Sequence, residues 1–245
     1  MAESLALQSL FPLALAQVRL PLDPWEGMLL IQEVLRLRGE AEGNPNPGCA
    51  WTGDLNGIWQ LHDLAPFASL SEQVRQQAWL YLLELGFDPV RVELHFQRSW
   101  PVISEPGQGV GRHHHPNAHL SAVLYLNGDG SGRSGCLRLF PPGQVNELVP
   151  GLAVGEQGPF VADSPQRQRW MAPWVEIAPR AGLLVLFPAR IDHAVTANED
   201  PEDRRISLAF DLALTAPHAG HGDPAPPEYL APHPSQWSGL PGPST

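Results

Sequence analysis

Residues 112–126, Arg-His-His-His-Pro-Asn-Ala-His-Leu-Ser-Ala-Val-Leu-Tyr-Leu, constrain the fold more than any other stretch. They hold four of the ten histidines, His113, His114, His115 and His119, and run directly into a strand-like apolar segment, Leu120–Leu126. His113 and His115 are two apart, so an extended backbone turns both imidazoles to one face and His114 to the other. Two nitrogen donors on one face of a sheet form a metal chelate once a third arrives from elsewhere. His193, just beyond the apolar run Leu183–Phe187, is the candidate third. A histidine run is also the composition of a solvated loop, so the flanking sequence has to decide.

That flanking sequence is globular and acidic. The chain has 245 residues, 43% of them hydrophobic, enough for one sizeable domain with a full core. A formal charge of −11 argues against a nucleic-acid or anionic-membrane surface, both of which select for basic faces. Two cysteines, Cys49 and Cys136, give no disulfide framework and point to a reducing, cytoplasmic setting. The first residues lack a basic lead and their apolar run is broken by Pro12 and Arg19, so neither a signal peptide nor a spanning helix is expected. Twenty-seven prolines and 23 glycines suit many short strands joined by turns.

Along the chain, Leu13–Leu22 reads as an edge strand. Asp23-Pro24 caps a helix of about four turns to Arg38. Residues 39–50 form a loop, and Trp51–His62 mixes aromatic, polar and turn residues in the manner of an ordered loop beside a pocket. Ser69-Leu-Ser-Glu72 has the form of a capping box, opening a support helix whose apolar face is Val74, Ala78, Tyr81, Leu82 and Leu85 and which Gly86 ends. Val90–Val102 alternates as a strand, with Glu93, His95, Gln97 and Ser99 on one face and Val92, Leu94, Phe96 and Arg98 on the other. Further strands are expected at 119–126, Cys136–Phe140, Trp174–Ile177, Leu183–Phe187 and Ile206–Leu214. The polar excursion 141–172 is longer than a usual connection and is a candidate lid or substrate loop. From Ala216 on there are eight prolines and no apolar period, the composition of a poorly ordered tail or an arm laid across a neighbour.

Two nearby ligands, a long gap and a distal His form the pattern of a facial triad at non-haem iron. The segment from Arg98 to Asp211 resembles the 2-oxoglutarate/Fe(II) oxygenases, in particular a bacterial and phage-type group with His-x-His-Pro-Asn followed by Ser-x-Val-x-Tyr. The matching pieces are His113-His-His-Pro-Asn117, Ser121-Ala-Val-Leu-Tyr125, Ser134–Phe140, Pro179–Pro188, His193–Asn198 and Arg205–Phe210, in the family's order. The resemblance implies a mainly β fold with flanking helices, a double-stranded β-helix of the jelly-roll, cupin-like kind. Residues 1–215 would be one oxygenase domain, with helical support in 1–89 and the jelly-roll core in 90–215, and 216–245 a Pro-rich tail.

It further implies Fe(II) and 2-oxoglutarate as cofactors, with His113, His115 and His193 as the metal-binding and catalytic residues. The distal His is expected on a strand of the sheet opposite the first motif. Arg205 and Ser207, together with Tyr125, would hold the co-substrate, a guanidinium fork and a hydroxyl sharing one carboxylate. His119, Trp100, Trp51 and Asn117 are candidate substrate contacts, and the substrate class is a small molecule or a peptide. Most relatives carry Asp or Glu where this chain has His115. That departure leaves open a three-His dioxygenase of the cupin type working without an oxo-acid, a vacant coordination position as in halogenating relatives, or ligation through His114 or His119. A non-enzymatic jelly roll that binds a metal or ligand is a further alternative.

Overall fold

The computed structural model of the protein describes residues 7–41, 43, 46–143, 146–149, 159–161, 164–219, 229–240 and 242. In chain order the elements are β1 (Ala16–Arg19), α1 (Pro24–Gly39), β2 (Trp51–Thr52), α2 (Ala68–Glu84), β3 (Glu93–Ser104), β4 (Val110–His113), β5 (Leu120–Tyr125), β6 (Leu137–Leu139), α3 (Pro165–Trp170), β7 (Val175–Ile177), β8 (Leu183–Pro188), β9 (His193–Val195) and β10 (Arg205–Thr215). They build a six-stranded sheet, β1-β8-β5-β10-β3-β2, and a four-stranded sheet, β4-β9-β6-β7. All strand pairings are antiparallel. This is the jelly roll of two sheets that the sequence leads one to expect. Among the described residues no helix is long and apolar enough to cross a membrane.

Strand periodicity divides the molecule into two interiors. On β10, Ile206, Leu208, Phe210 and Leu212 join Leu120, Ala122 and Leu124 of β5 and Leu184 and Leu186 of β8 in a large apolar core. The helices cover that face through Leu30 and Val34 of α1 and Leu70, Val74, Ala78 and Leu82 of α2. The alternate residues, Val123, Tyr125, Val185 and Phe187, meet Leu137, Leu139 and Ile177 in a smaller cluster on the other side. A period of two thus gives one face to the helices and the other to the space between sheets.

The helix ends differ in how they are made. At α1 the Asp23 carboxylate accepts from the amides of Trp25 and Glu26, and Pro24 fills the first turn. The capping box expected at Ser69 does not form: α2 starts two residues earlier, and its cap position, Phe67, makes no side-chain cap bond. The cause is the short 3-10 turn Ala65–Phe67, which delivers the chain already turning, so no side chain is needed to start the helix. At the other end Gly86 has φ +86°, its amide donates to Leu83 O, and Phe87 N donates to Leu82 O, the paired bonds of a Schellman stop.

Two expectations are corrected by the pairing. His113 and His193 do not lie on opposite sheets: β4 and β9 are neighbours in the four-stranded sheet, with His113 directly across from His193. Cross-strand partners share a face, so this register brings the rings together without needing the second sheet. Simple alternation along β3 also fails. The register passes from Asp211↔Arg98 to Leu212↔Phe96, so Gln97 is a bulge and the two halves of the strand exchange faces. Glu93 and His95 therefore share a face with Arg98 and Trp100.

Of the 141–172 excursion, residues 144, 145, 150–158, 162 and 163 lie outside the described residues, and the lid expectation falls partly on them. Its described part includes α3, capped by Ser164. In the tail, 220–228, 241 and 243–245 also lie outside. Ala231 forms a parallel bridge with Thr215, and its carbonyl accepts from Ala216 N at 2.8 Å.

Candidate active site

Three imidazoles converge where the four-stranded sheet meets the face of β10. His113 ends β4, His193 begins β9, and His115 sits two residues beyond β4 as the chain turns. Ring centroids are 4.3 Å apart for His113–His193, 5.0 Å for His115–His193 and 5.2 Å for His113–His115. Their ligand atoms lie within 4.8 Å of one another.

Each ring is held through Nδ1. His113 Nδ1 is 2.7 Å from Gly111 O, His193 Nδ1 is 2.9 Å from Ile191 O, and His115 Nδ1 bonds the Asp211 carboxylate. Carbonyl and carboxylate oxygens only accept, so every Nδ1 carries the hydrogen and every Nε2 keeps its lone pair. Burial, reinforced by the neighbouring imidazoles, pushes His193 down to about 3 and lowers His113. Neutral rings with committed tautomers are what a metal requires of histidine ligands. A set of nitrogen donors grouped on one side fits Fe(II) and leaves the cavity side open for other ligands.

Asp211 is the functional residue that sequence reasoning missed. It is fully buried, holds His115 through Oδ1, and receives Arg98 Nη2 on Oδ2 at 2.6 Å. Arg98 in turn lies over the Trp100 ring at 5.0 Å, with Asp54 3.8 Å away. The carboxylate absent from position 115 is thus present one hydrogen bond behind it. A lone acid within the apolar strand Ile206–Leu214 was the available signal, because a carboxylate there is costly without partners.

Deeper in the same cavity, Arg205 is 2% exposed. Its Nη1 donates to Ser134 O at 2.8 Å and its Nη2 to Ser104 Oγ. Among the described residues no carboxylate pairs with it, and burial lowers its pKa. Ser207 and Tyr125 are cross-strand partners beside it. Burial pushes the Tyr125 phenol up to about 12, so it stays protonated and able to donate. Gly135 lets Arg205 come this close: with φ +88°, a Cβ there would stand 2.5 Å from Arg205 Nη1 and 2.4 Å from Thr196 O. The cation has donors to spare and the pocket beside it is lined by Ser207 and Tyr125, an arrangement that fits a carboxylate.

His113, His115, His193, Arg205, Ser207, Tyr125 and Trp100 all line this one cavity, whose apolar walls include Val102, Phe187 and Val195. Three candidates do not. Trp51 is 1% exposed in the helix-side core, and its neighbour Thr52 takes the place on the cavity wall. His119 uses Nδ1 to accept from Leu214 N at 3.1 Å, closing the strand backbone beyond the bulge. Asn117 is exposed and offers its carbonyl to Gln97 at 2.8 Å. His114 turns away to Asp192 at 3.1 Å, and Arg204 turns outward, 3.6 Å from Glu105.

Residues 98–211 match the family described as "Putative 2OG-Fe(II) oxygenase". None of the curated proteins matches the chain. Among solved structures, the epimerase SnoN from nogalamycin biosynthesis, described as alpha ketoglutarate dependent, is 19% identical, with 90% of this chain and 91% of that chain covered and a TM-score of 0.55. A Pseudomonas putida prolyl-4-hydroxylase is 20% identical over 82% and 93%, with a TM-score of 0.50. HygX from Streptomyces hygroscopicus, solved with nickel and 2-oxoglutarate bound, is 14% identical over 82% and 83%, with a TM-score of 0.52. At these identities the likeness is one of fold.

Proposed function

We propose that the chain, whose residues 98–211 match the model of the 2OG-Fe(II) oxygenases, hydroxylates an unactivated C–H bond of a small-molecule or peptide substrate, releasing succinate and CO2 from 2-oxoglutarate. The observation that carries this reading is Arg205, a buried guanidinium facing the histidine cavity with no carboxylate partner among the described residues. Fe(II) and 2-oxoglutarate, when bound, supply the oxidising power that turns O2 on an inert C–H bond. The chain's own part is placement and exclusion of water.

His113, His115 and His193 hold the metal through Nε2, and Gly111 O, Asp211 and Ile191 O keep the proton on Nδ1. Arg205 and Ser207 take the far carboxylate of 2-oxoglutarate, with the Tyr125 hydroxyl as a further donor. Ser134 O and Ser104 Oγ fix the guanidinium, which lines the cavity with N–H groups beyond these two bonds. Trp100, Val102 and Phe187 keep the reacting region apolar.

The test is succinate release by the iron-loaded protein with 2-oxoglutarate and O2, with and without candidate substrates. Slow uncoupled turnover, accelerated by a true substrate, is expected. The three-nitrogen ligand set also suits a three-His dioxygenase needing no oxo-acid. Oxygen consumption unchanged by 2-oxoglutarate, in a protein that does not bind it, would favour that second reading.

A further inference from the structure

A second group of ligand-type side chains lies outside the cavity, on the other half of the bulged strand. Glu93 and His95 are two apart on β3, and the Gln97 bulge puts them on the cavity face of the six-stranded sheet. Their register partners are Thr215 and Ala213, which share a face with Asp211. The group therefore begins about 7 Å along the strand from Asp211, at about 3.3 Å per residue. His233 comes to it from the C-terminal tail.

The ligand atoms of Glu93, His95 and His233 lie within 4.8 Å of one another. His233 Nε2 is 3.4 Å from Glu93 Oε1, and the His95 and His233 rings meet edge to face at 5.2 Å. His218, also from the tail, packs against His233 at 5.5 Å. The His95 ring is oriented from behind: its Nε2 is 2.9 Å from Thr215 Oγ1, whose own hydrogen goes to Ala216 O. That hydroxyl must accept, so His95 carries hydrogen on Nε2 and offers the lone pair of Nδ1. A histidine whose other nitrogen donates to a fixed acceptor is the usual state of a metal ligand.

We infer that Glu93, His95 and His233 form a Zn(II) site, separate from the catalytic triad, that clasps the tail onto the jelly roll. Two imidazoles and a carboxylate are a zinc donor set, and His218 or water completes four-coordination. Tetrahedral ligands about 2.0–2.2 Å from zinc stand about 3.3–3.6 Å apart. Without metal, His233 Nδ1 accepts from Ser235 N at 3.1 Å and its Nε2 hydrogen faces Glu93, so zinc at Nε2 moves the ring hydrogen to Nδ1, where Ser235 Oγ at 2.7 Å accepts it in place of the amide contact. The tail contributes a second attachment beside it, the Thr215–Ala231 bridge, and Leu230 packs against the helix-side core. With metal bound, a segment of high proline content gains a fixed point on the same face that carries the active-site cavity.

The experiment uses the full chain, stripped with a chelator and dialysed against Zn(II), with bound metal measured by mass spectrometry. The parent should bind two equivalents. His95→Ala, His233→Ala and His113→Ala should each bind one, and His113→Ala/His233→Ala none. One equivalent in the parent, or two retained by His233→Ala, overturns the site. The clasp is read by chymotrypsin at Tyr229 and Trp237. In His113→Ala, zinc at ten times its Kd should slow cleavage about tenfold, and in His113→Ala/His233→Ala it should do nothing. Zinc bound by His113→Ala without slower cleavage overturns the clasp. A parent that loses only the catalytic equivalent on His113→Ala leaves this site standing whatever the oxygenase assays give.

Discussion

On β10, Ile206, Leu208, Phe210 and Leu212 face one way, and Arg205, Ser207, Ala209 and Asp211 face the other. The first set sits under two helices in the larger core, among side chains that are mostly apolar. The second set faces the space between sheets, where Arg205 and Asp211 are as deeply buried as the leucines. Burial therefore means opposite things on the two faces. Apolar groups under the helices gain free energy from being dry, about 25 cal/mol per Å². The ions on the inner face lose hydration and are kept only by fixed partners, Ser134 O and Ser104 for Arg205, Arg98 and His115 for Asp211. One face holds the fold together, and the other is held in place by it.

Substitutions on each side should separate these roles. The largest effect is on the inner side: His193→Ala should abolish stoichiometric iron binding while the metal-free melting temperature stays close to the parent's, as measured by metal analysis and calorimetry. Full-affinity iron in that variant would remove His193 from the ligand set. On the helix side, Leu208→Ala should cost about 2–5 kcal/mol of stability through lost contact and a cavity, measured by denaturant unfolding, with iron and 2-oxoglutarate affinity preserved in the folded fraction. An equal loss of cofactor binding would mean the two faces are not separable.

Arg205→Ala should raise the 2-oxoglutarate requirement at least about 30-fold, the lower end of the roughly 2–5 kcal/mol lost when a buried charge pair is broken. Iron binding should scarcely move, and Arg204→Ala, on the exposed side, should do little. If both variants bind 2-oxoglutarate like the parent, the co-substrate assignment fails. The smallest effect is expected one bond behind the metal. Asp211→Asn should weaken iron about 10- to 100-fold by freeing the His115 ring and its tautomer, and His115→Asp should largely restore it by placing a carboxylate in the ligand set itself. Iron affinity untouched by Asp211→Asn would make Asp211 a structural partner of Arg98 alone.

What could be read in the sequence follows from which interactions are local. Alternation along Ile206–Leu214 and the spacing of His113 and His115 depend on neighbouring residues, so the strand and the shared face were legible. Arg205 was legible because a cation in an apolar strand demands an anion. The Gln97 bulge was not, because it depends on where β10 pairs with β3, 113 residues away for Arg98 and Asp211. That hidden offset put Glu93 and His95 on the wrong face in the reading of β3. Ser69 and Glu72 satisfied a capping pattern, yet the turn before them had already begun the helix. Trp51 read as a pocket wall because its neighbours are polar, whereas its two-residue strand pairs Trp51 with Ile103 and buries it on the helix side.

Gly135 offers no side chain, yet the seat of Arg205 depends on it. A side chain there would meet Arg205 Nη1 and the Thr196 carbonyl at once, on backbone that L-residues seldom adopt. A single-nucleotide change at this codon could therefore silence the enzyme while leaving every metal- and carboxylate-binding residue intact. Screening relatives for activity by their histidines and arginine alone would count such a descendant as competent. The loop between β5 and β6 is where the lineage could lose its chemistry and keep its fold.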